Sequence, residues 1–266
     1  MMFALEFVNF VYDVVEFSSK VGIFHNTPFG IKQKKGFLFG LSSGIVPGDV
    51  WGGGIVSLGG VGLEAVAYRS GELLLTTLPD TTIPPSYENQ PEVVGRANFL
   101  SGKLSLRAVW EKGEVVYGFK TKFFYAKFLN FWGSGGGMDV FLGYFGKIHG
   151  YAGINNVTTS PIIWNTGRRE LALPELEMRL GKDFGIPSLY FGFSYSRDGR
   201  RFIFKRDVFL STLFDFGSFS VFGGYIDGFP RFGMEFRRDN YGFLIGSSYH
   251  TDLGFSFRGG FYFEFK

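Results

Sequence analysis

Hydrophobic and polar positions alternate with period two along most of the chain. In the stretch FSFRGGFYFEFK, Phe255, Phe257, Gly259, Phe261, Phe263 and Phe265 fall on one side. Ser256, Arg258, Gly260, Tyr262, Glu264 and Lys266 fall on the other. Successive side chains of a β-strand point to opposite faces, so such a segment has one oily wall and one polar wall. The phase recurs upstream. Leu104, Leu106 and Trp110 oppose Ser105 and Arg107, and Met138, Val140, Leu142 and Tyr144 oppose Asp139 and Gly143. Val115, Tyr117, Phe119, Phe123 and Tyr125 oppose Gly118, Lys120 and Lys122. Further on, Leu189, Phe191, Phe193 and Tyr195 alternate with Tyr190, Gly192, Ser194 and Ser196, and Phe232, Met234 and Phe236 with Gly233, Glu235 and Arg237.

Short polar connections punctuate these runs: Arg69-Ser70-Gly71-Glu72, Glu111-Lys112-Gly113, Arg197-Asp198-Gly199-Arg200, Asp227-Gly228 and Arg238-Asp239-Asn240. Gly, Asp and Asn at that spacing are hairpin chemistry. Counted from Phe3, the rhythm predicts roughly 13–14 strands in an antiparallel meander. Residues 76–91 and 155–170, rich in Pro, Thr and Asn, read as long loops. Gly133-Ser134-Gly135-Gly136-Gly137 reads as a flexible turn leading into a strand. It lacks the Gly-Lys-Ser/Thr and following helix that a phosphate loop needs. Pro174 interrupts the phase of LALPELEMRL, and residues 202–216 carry apolar groups on both faces. No boundary divides residues 1–266, which read as one domain.

Composition decides which solvent the oily wall meets. Phe numbers 35, Tyr 13 and Gly 40, aromatics make up 20% of the chain, and charged residues are only 19%, against roughly 25% in soluble domains. Soluble β-sandwich cores are rich in Val, Ile and Leu; here Phe, Tyr and Trp repeat on the oily face, while Gly, Ser and mixed charges fill the other, as in a barrel interior. Strands of about 9–11 residues suit a tilted wall across a hydrocarbon layer, and a closed barrel leaves no backbone group unpaired in lipid. The predicted class is therefore all-β: a single antiparallel up-and-down transmembrane β-barrel of about 14 strands. Mean hydropathy is +0.10, and no apolar run of about 18 residues exists to form a spanning helix. With no cysteine, disulfides and thiolate metal sites are excluded. The net charge of +3 comes without a basic run, which argues against a nucleic-acid partner. Residues 1–17 lack a positive n-region, and Glu6, Asp13 and Glu16 break their apolar character, so no export signal is legible there.

The middle of the chain resembles a family. YGFKTKFFY, the Gly137-Met138-Asp139 element in GSGGGMDVFLGYF, KIHGYAGINN, and PIIWNTGRRELALPELEMRLGKDF with its Leu-Pro before a strand are similar to the PorV-like outer-membrane barrels, distant relatives of the long-chain fatty-acid transporter. His25-Asn26-Thr27-Pro28-Phe29-Gly30 stands where that family's N-terminal Asn-Pro-Ala-Gly-Leu element is expected. The resemblance implies the outer membrane of a didermic bacterium. It further implies passage of small or hydrophobic solutes or a docking role in secretion, and it supplies no catalytic residues. Such barrels end in an aromatic residue read by the assembly machinery; here Phe265 is penultimate and Lys266 follows.

The expected functional residues follow from phase. Lys120, Lys122, Asp139, Glu235, Arg237, Arg258 and Glu264 fall on the polar face and are expected to line a lumen, because a charge facing lipid costs several kcal/mol, on the order of 2–4. They either pair across the lumen and hold the wall together or line a wet pore and set its charge preference. Trp110, Tyr117, Tyr125 and Tyr144 are expected in interfacial aromatic girdles, with Trp132 and Trp164 in loops. His25, His149 and His250 are far apart, and Ser247 and Ser248 beside His250 do not imply a nucleophile–base pair, so neither metal, cofactor nor catalysis is expected. The expected function is a passive channel for small or hydrophobic solutes, narrowed by residues 76–91 folded inward. Its partners are the lipid bilayer, the solutes and the barrel-assembly machinery, and a homo-oligomer is compatible with it. The alternative is a non-conducting barrel serving as secretion partner, envelope tether or scaffold.

Overall fold

A computed structural model of the chain describes residues 37–46, 49–79, 82, 86, 89–157, 160–184, 188–197, 204–226, 229–250 and 254–265. Among them every regular element is a strand: β1 (Phe37–Val46), β2 (Asp49–Leu58), β3 (Val61–Arg69), β4 (Leu73–Thr77), β5 (Glu92–Ala97), β6 (Phe99–Lys112), β7 (Val115–Phe128), β8 (Phe131–Phe145), β9 (Ile148–Asn155), β10 (Ser160–Trp164), β11 (Arg169–Ala172), β12 (Glu175–Asp183), β13 (Ser188–Arg197), β14 (Phe204–Asp215), β15 (Phe219–Ile226), β16 (Phe229–Arg238), β17 (Tyr241–His250) and β18 (Gly254–Phe265). The His25–Gly30 element and the Arg197–Arg200 and Asp227-Gly228 turns lie wholly or partly outside the described residues.

One large antiparallel sheet runs β11-β10-β8-β7-β6-β3-β2-β1-β18-β17-β16-β15-β14-β13-β12-β9, and β8 also pairs with β9. Sequential strands are neighbours almost throughout, as a meander requires. Several connections are two-residue loops whose chemistry fits: Gly59 (φ 56) before Gly60, Gly113 (φ 64) before Glu114, and Asp239 (φ 50) before Asn240. Positive φ at the first loop position matches the twist of paired strands. The β7–β8 turn is less legible, because Leu129 takes φ 54 ahead of Asn130, a conformation that costs a side-chain-bearing residue roughly 1–2 kcal/mol.

Burial follows the alternation in an inverted sense. On β3 the sequence reads strictly exposed, buried, exposed, with Leu63 and Ala65 outward and Glu64, Val66 and Tyr68 buried. Leu180 is 60% exposed and Phe257 62% exposed, whereas Glu64 is 4% and Lys103 4% exposed. On the exposed face of β3, β6, β7, β12 and β16, charge appears only at strand ends, at Arg69, Lys112, Lys127, Lys182 and Arg238.

Two segments expected to be turn or loop prove to contain strands. Residues 133–137 are no turn: they lie inside β8, paired with Lys122–Ala126 and, at one end, with β10. Segment 155–170 carries the β10–β11 hairpin, which places Trp164 in a strand; Trp132 likewise sits in β8. Of segment 76–91, Thr76 and Thr77 end β4 and the rest connects it to β5, and these two strands form a two-stranded sheet of their own. Pro174 does interrupt the chain, between β11 and β12, since proline can neither donate to a ladder nor sit easily in a central strand.

Candidate functional site

The buried face of β3, β6, β7 and β8 carries a charged belt. Glu64 Oε1 lies 3.1 Å from Lys103 Nζ, and its Oε2 lies 3.0 Å from Lys120 Nζ. Lys122 Nζ is 2.5 Å from Asp139 Oδ1 and donates to Asn156 Oδ1 at 2.9 Å. Arg107 is buried on the same face. Strand phase explains the gathering: Glu64, Lys103, Ser105, Arg107, Lys120, Lys122 and Asp139 all occupy inward positions of adjoining ladders. Two carboxylates each meet an ammonium group, so the belt is held by charge-assisted contacts that outweigh neutral ones when desolvated. Removing a single member of such a buried pair costs about 3–5 kcal/mol, because its partner is stranded.

Apolar layers bound the belt on both sides. Toward one end of the strands lie Val109 and Val116. Toward the other, Phe124, Ala126, Ile162 and Trp164 form a buried cluster against which Phe99 packs. Ile162 is 0% and Trp164 3% exposed.

A second polar group sits on β14–β18. The Tyr262 hydroxyl donates to Glu235 Oε1 at 2.7 Å. Arg237 Nη2 donates to Asp215 Oδ1 at 2.6 Å and to Ser220 Oγ at 2.7 Å. Tyr262 extends over Gly242, where a Cβ would meet its ring at 2.2 Å, so glycine is what lets the phenol reach Glu235. On β12, Glu177 and Arg179 form a further buried pair, and the Arg179 guanidinium lies 5.8 Å from the Tyr151 ring centroid.

The expected lumen residues are therefore placed as follows. Lys120, Asp139 and Glu235 are buried, and the Lys122 side chain is 9% exposed. Arg237 is partly exposed but paired. Arg258 and Glu264 are held in register opposite Gly44 and Leu38, and their side chains lie outside the described residues. Phase also gathers Glu64, Lys103, Glu177, Arg179 and Tyr262, each a lone polar group among apolar or small neighbours in sequence. Of the aromatic candidates, Trp110, Tyr117, Tyr125 and Tyr144 are all exposed on the apolar face, and Trp110 stacks on Tyr117 with centroids 5.9 Å apart.

The described members of residues 76–91 do not join this site. Of these only Asn89 is buried, in a small turn where it exchanges backbone hydrogen bonds with Ser86. Among the described residues no three His, Cys, Asp or Glu side chains are arranged to hold a metal ion.

No protein-family model and no curated protein sequence matches the chain. Solved structures do. The toluene transporter TodX of Pseudomonas putida aligns with a TM-score of 0.54 at 11% identity, covering 86% of this chain and 88% of that one. A porin mutant of Rhodopseudomonas blastica aligns with a TM-score of 0.40 at 8% identity, covering 86% of this chain and 99% of the porin. The likeness to TodX is one of fold: this chain shares the all-β, antiparallel architecture of a barrel.

Proposed function

We propose that the chain is an integral outer-membrane β-barrel that lets small or apolar solutes pass through its interior without energy input. One observation carries the reading: apolar side chains cover the exposed face while lysine, glutamate and arginine are buried and paired on the other. In water, each exposed large apolar side chain forfeits about 1.5–3 kcal/mol of burial. Facing hydrocarbon, the same residues lose nothing.

The strand pairings support a single closed wall. Following them from β8 through β7, β6, β3, β2, β1, β18, β17, β16, β15, β14, β13, β12 and β9 leads back to β8, a ring of fourteen strands with β10–β11 and β4–β5 as appendages. A closed ring is the β-structure that leaves no edge unpaired in lipid. Tyr117 and Tyr125 stand eight positions apart on β7, which at ~3.3 Å per residue and a tilt of ~40° separates them by ~20 Å across the layer. Trp110, Tyr117 and Tyr144 then form one interfacial girdle and Tyr125 with Trp132 the other, with Lys112 and Lys127 beyond them at the headgroups. The loops from Gly59, Gly113 and Asp239 are short and share an end; both hairpin appendages rise from the opposite end, which we assign to the cell exterior.

An apolar solute is the favoured class. The inner side beside β10 carries the buried apolar cluster of Phe124, Ile162 and Trp164, and a protein sharing the fold is a toluene transporter. The PorV-like resemblance adds a route for hydrophobic substrates through the wall, or a docking role in secretion. No catalytic part is assigned to any side chain. Lipid and the barrel-assembly machinery are the partners this reading needs.

Planar-bilayer recording of the refolded protein tests passage: discrete conductance steps are expected. A silent membrane from protein with heat-modifiable gel mobility would establish the non-conducting scaffold instead, a reading favoured by the complete burial of Ile162. Location is tested separately with Leu106→Arg, at the register position of Thr121 midway between Tyr117 and Tyr125. Set at mid-wall on the exposed face, arginine should weaken insertion by about 2–4 kcal/mol, and an unchanged refolding midpoint would place that face in water.

A further inference from the structure

The strand β10 does not lie flush beside β8. A Cβ on Gly135 would come within 1.8 Å of the Pro161 carbonyl oxygen and 3.0 Å of Ile162 Cα. One on Gly133 would meet Ile162 Cγ2 at 2.9 Å and the Trp164 indole at 3.0 Å. Positions 133 and 135 share the face of Asp139, the buried one, so the backbone of β10 leans over the inner side of the wall. Only a track of glycines admits it. Contacts between Cβ and main-chain atoms below 3 Å cannot be relieved by a rotamer change; the strand itself must shift.

The seat is tied at its base. Asn156, with φ 55, donates its N–H to Asp139 Oδ1 at 2.8 Å and its Nδ2 to the Leu173 carbonyl at 3.4 Å, and accepts from Lys122. The charged belt thus fixes where β10 departs and where β11 returns. At its far end the hairpin is closed by Trp164 and Arg168, whose backbones bond at 2.9 Å. The indole Nε1 of Trp164 is buried with no acceptor. A close-packed seat does not call for that donor, which it leaves aimed into an apolar cluster.

We propose that the β10–β11 hairpin, seated on the glycines of β8 and held there by buried Ile162 and Trp164, is the element that narrows the interior. This rests on the channel reading above. It moves the constriction from residues 76–91, whose described side chains are almost all exposed, to a segment held against the inner wall.

The test compares unit conductance in planar bilayers for the full chain and for Trp164→Ala, Ile162→Ala, Gly135→Val and Trp164→Cys, each first shown to have heat-modifiable mobility. Trp164→Leu replaces Trp164→Ala should the latter lose that mobility. The native chain has no cysteine, so Trp164→Cys carries a single thiol. The alanine variants should raise conductance about twofold or more, as expected for a widened pore. Gly135→Val should do so by unseating the hairpin, and Trp164→Cys should fall back when a bulky methanethiosulfonate reagent is attached. Wild-type conductance matched by every variant, with no response to the reagent, overturns the hairpin's role and leaves the channel standing. Silence from all of them overturns both.

Discussion

Two hairpins rise from the same end of the wall and differ in almost every other respect. β4–β5 is a sheet of its own: Leu74 is 57% and Val94 64% exposed, and its root is a pair of Ser70–Phe99 bonds, N–H to carbonyl at 2.8 Å and N–H to hydroxyl at 2.7 Å. β10–β11 is seated on the wall, with Ile162 and Trp164 buried. Both come from segments rich in Thr, Pro and Asn. What separates them is the adjoining strand. β8 offers Gly133 and Gly135 as a bed, whereas β4 and β5 pair only with each other among the described strands. Whether a hairpin packs is thus decided partly outside its own sequence.

The comparison can be broken by degrees. Trp164→Ala should have the largest effect: about 3–5 kcal/mol lost, by analogy with buried aromatic truncations, read as a lower urea midpoint for refolding into lipid. A midpoint within error of wild type would mean the indole is not packed. Gly135→Ala, adding one methyl group against a main-chain oxygen, should destabilise by about 1–3 kcal/mol and expose β10 to proteases. Resistance equal to wild type would show that β10 lies flush after all. Asn156→Ala should cost about 1–2 kcal/mol, since it removes two side-chain bonds of the latch but leaves the Asp139 bond to its N–H. The same measurement on Asn156→Gly separates the latch from the backbone, because glycine also relieves φ 55. Replacing residues 78–91 by a short turn should change stability by less than about 1 kcal/mol, and conductance not at all. A large rise in conductance would return the constriction to that segment. Arg96→Ala, which opens an exposed pair with Glu72 at 2.8 Å, should move the midpoint by no more than about 0–1 kcal/mol.

Strand phase was readable because the oily positions are large. Leu104, Leu106, Phe123, Phe232 and Phe236 announce one face, and Lys120, Asp139 and Glu235 the other, and their burial follows that division. Where side chains vanish, so does the signal. In Gly133–Gly137 there is nothing for period two to act on, and glycine as turn former and glycine as packing space look alike in one dimension. The true turn beside it, Leu129-Asn130, is disguised by a leucine held at positive φ. Lys103 and Glu64 stand on strands β6 and β3, 39 positions apart in sequence, so their pairing depends on a register that alternation alone leaves open. Trp164 was hidden for a related reason: SPIIW is too short a strand to alternate convincingly between Thr-rich and Asn-rich neighbours.

The ladder between β1 and β18 sets Phe37 opposite Phe265, so one seam of the sheet joins residues more than two hundred positions apart. Every other long ladder can zip as soon as the next hairpin emerges; this one must wait for β18 to arrive. Until then β1 and β17 each present a raw edge, and distant pairings of this kind are slow to form. Loss of that one strand would remove two ladders at a stroke, which makes β18 the step on which completion of the large sheet depends.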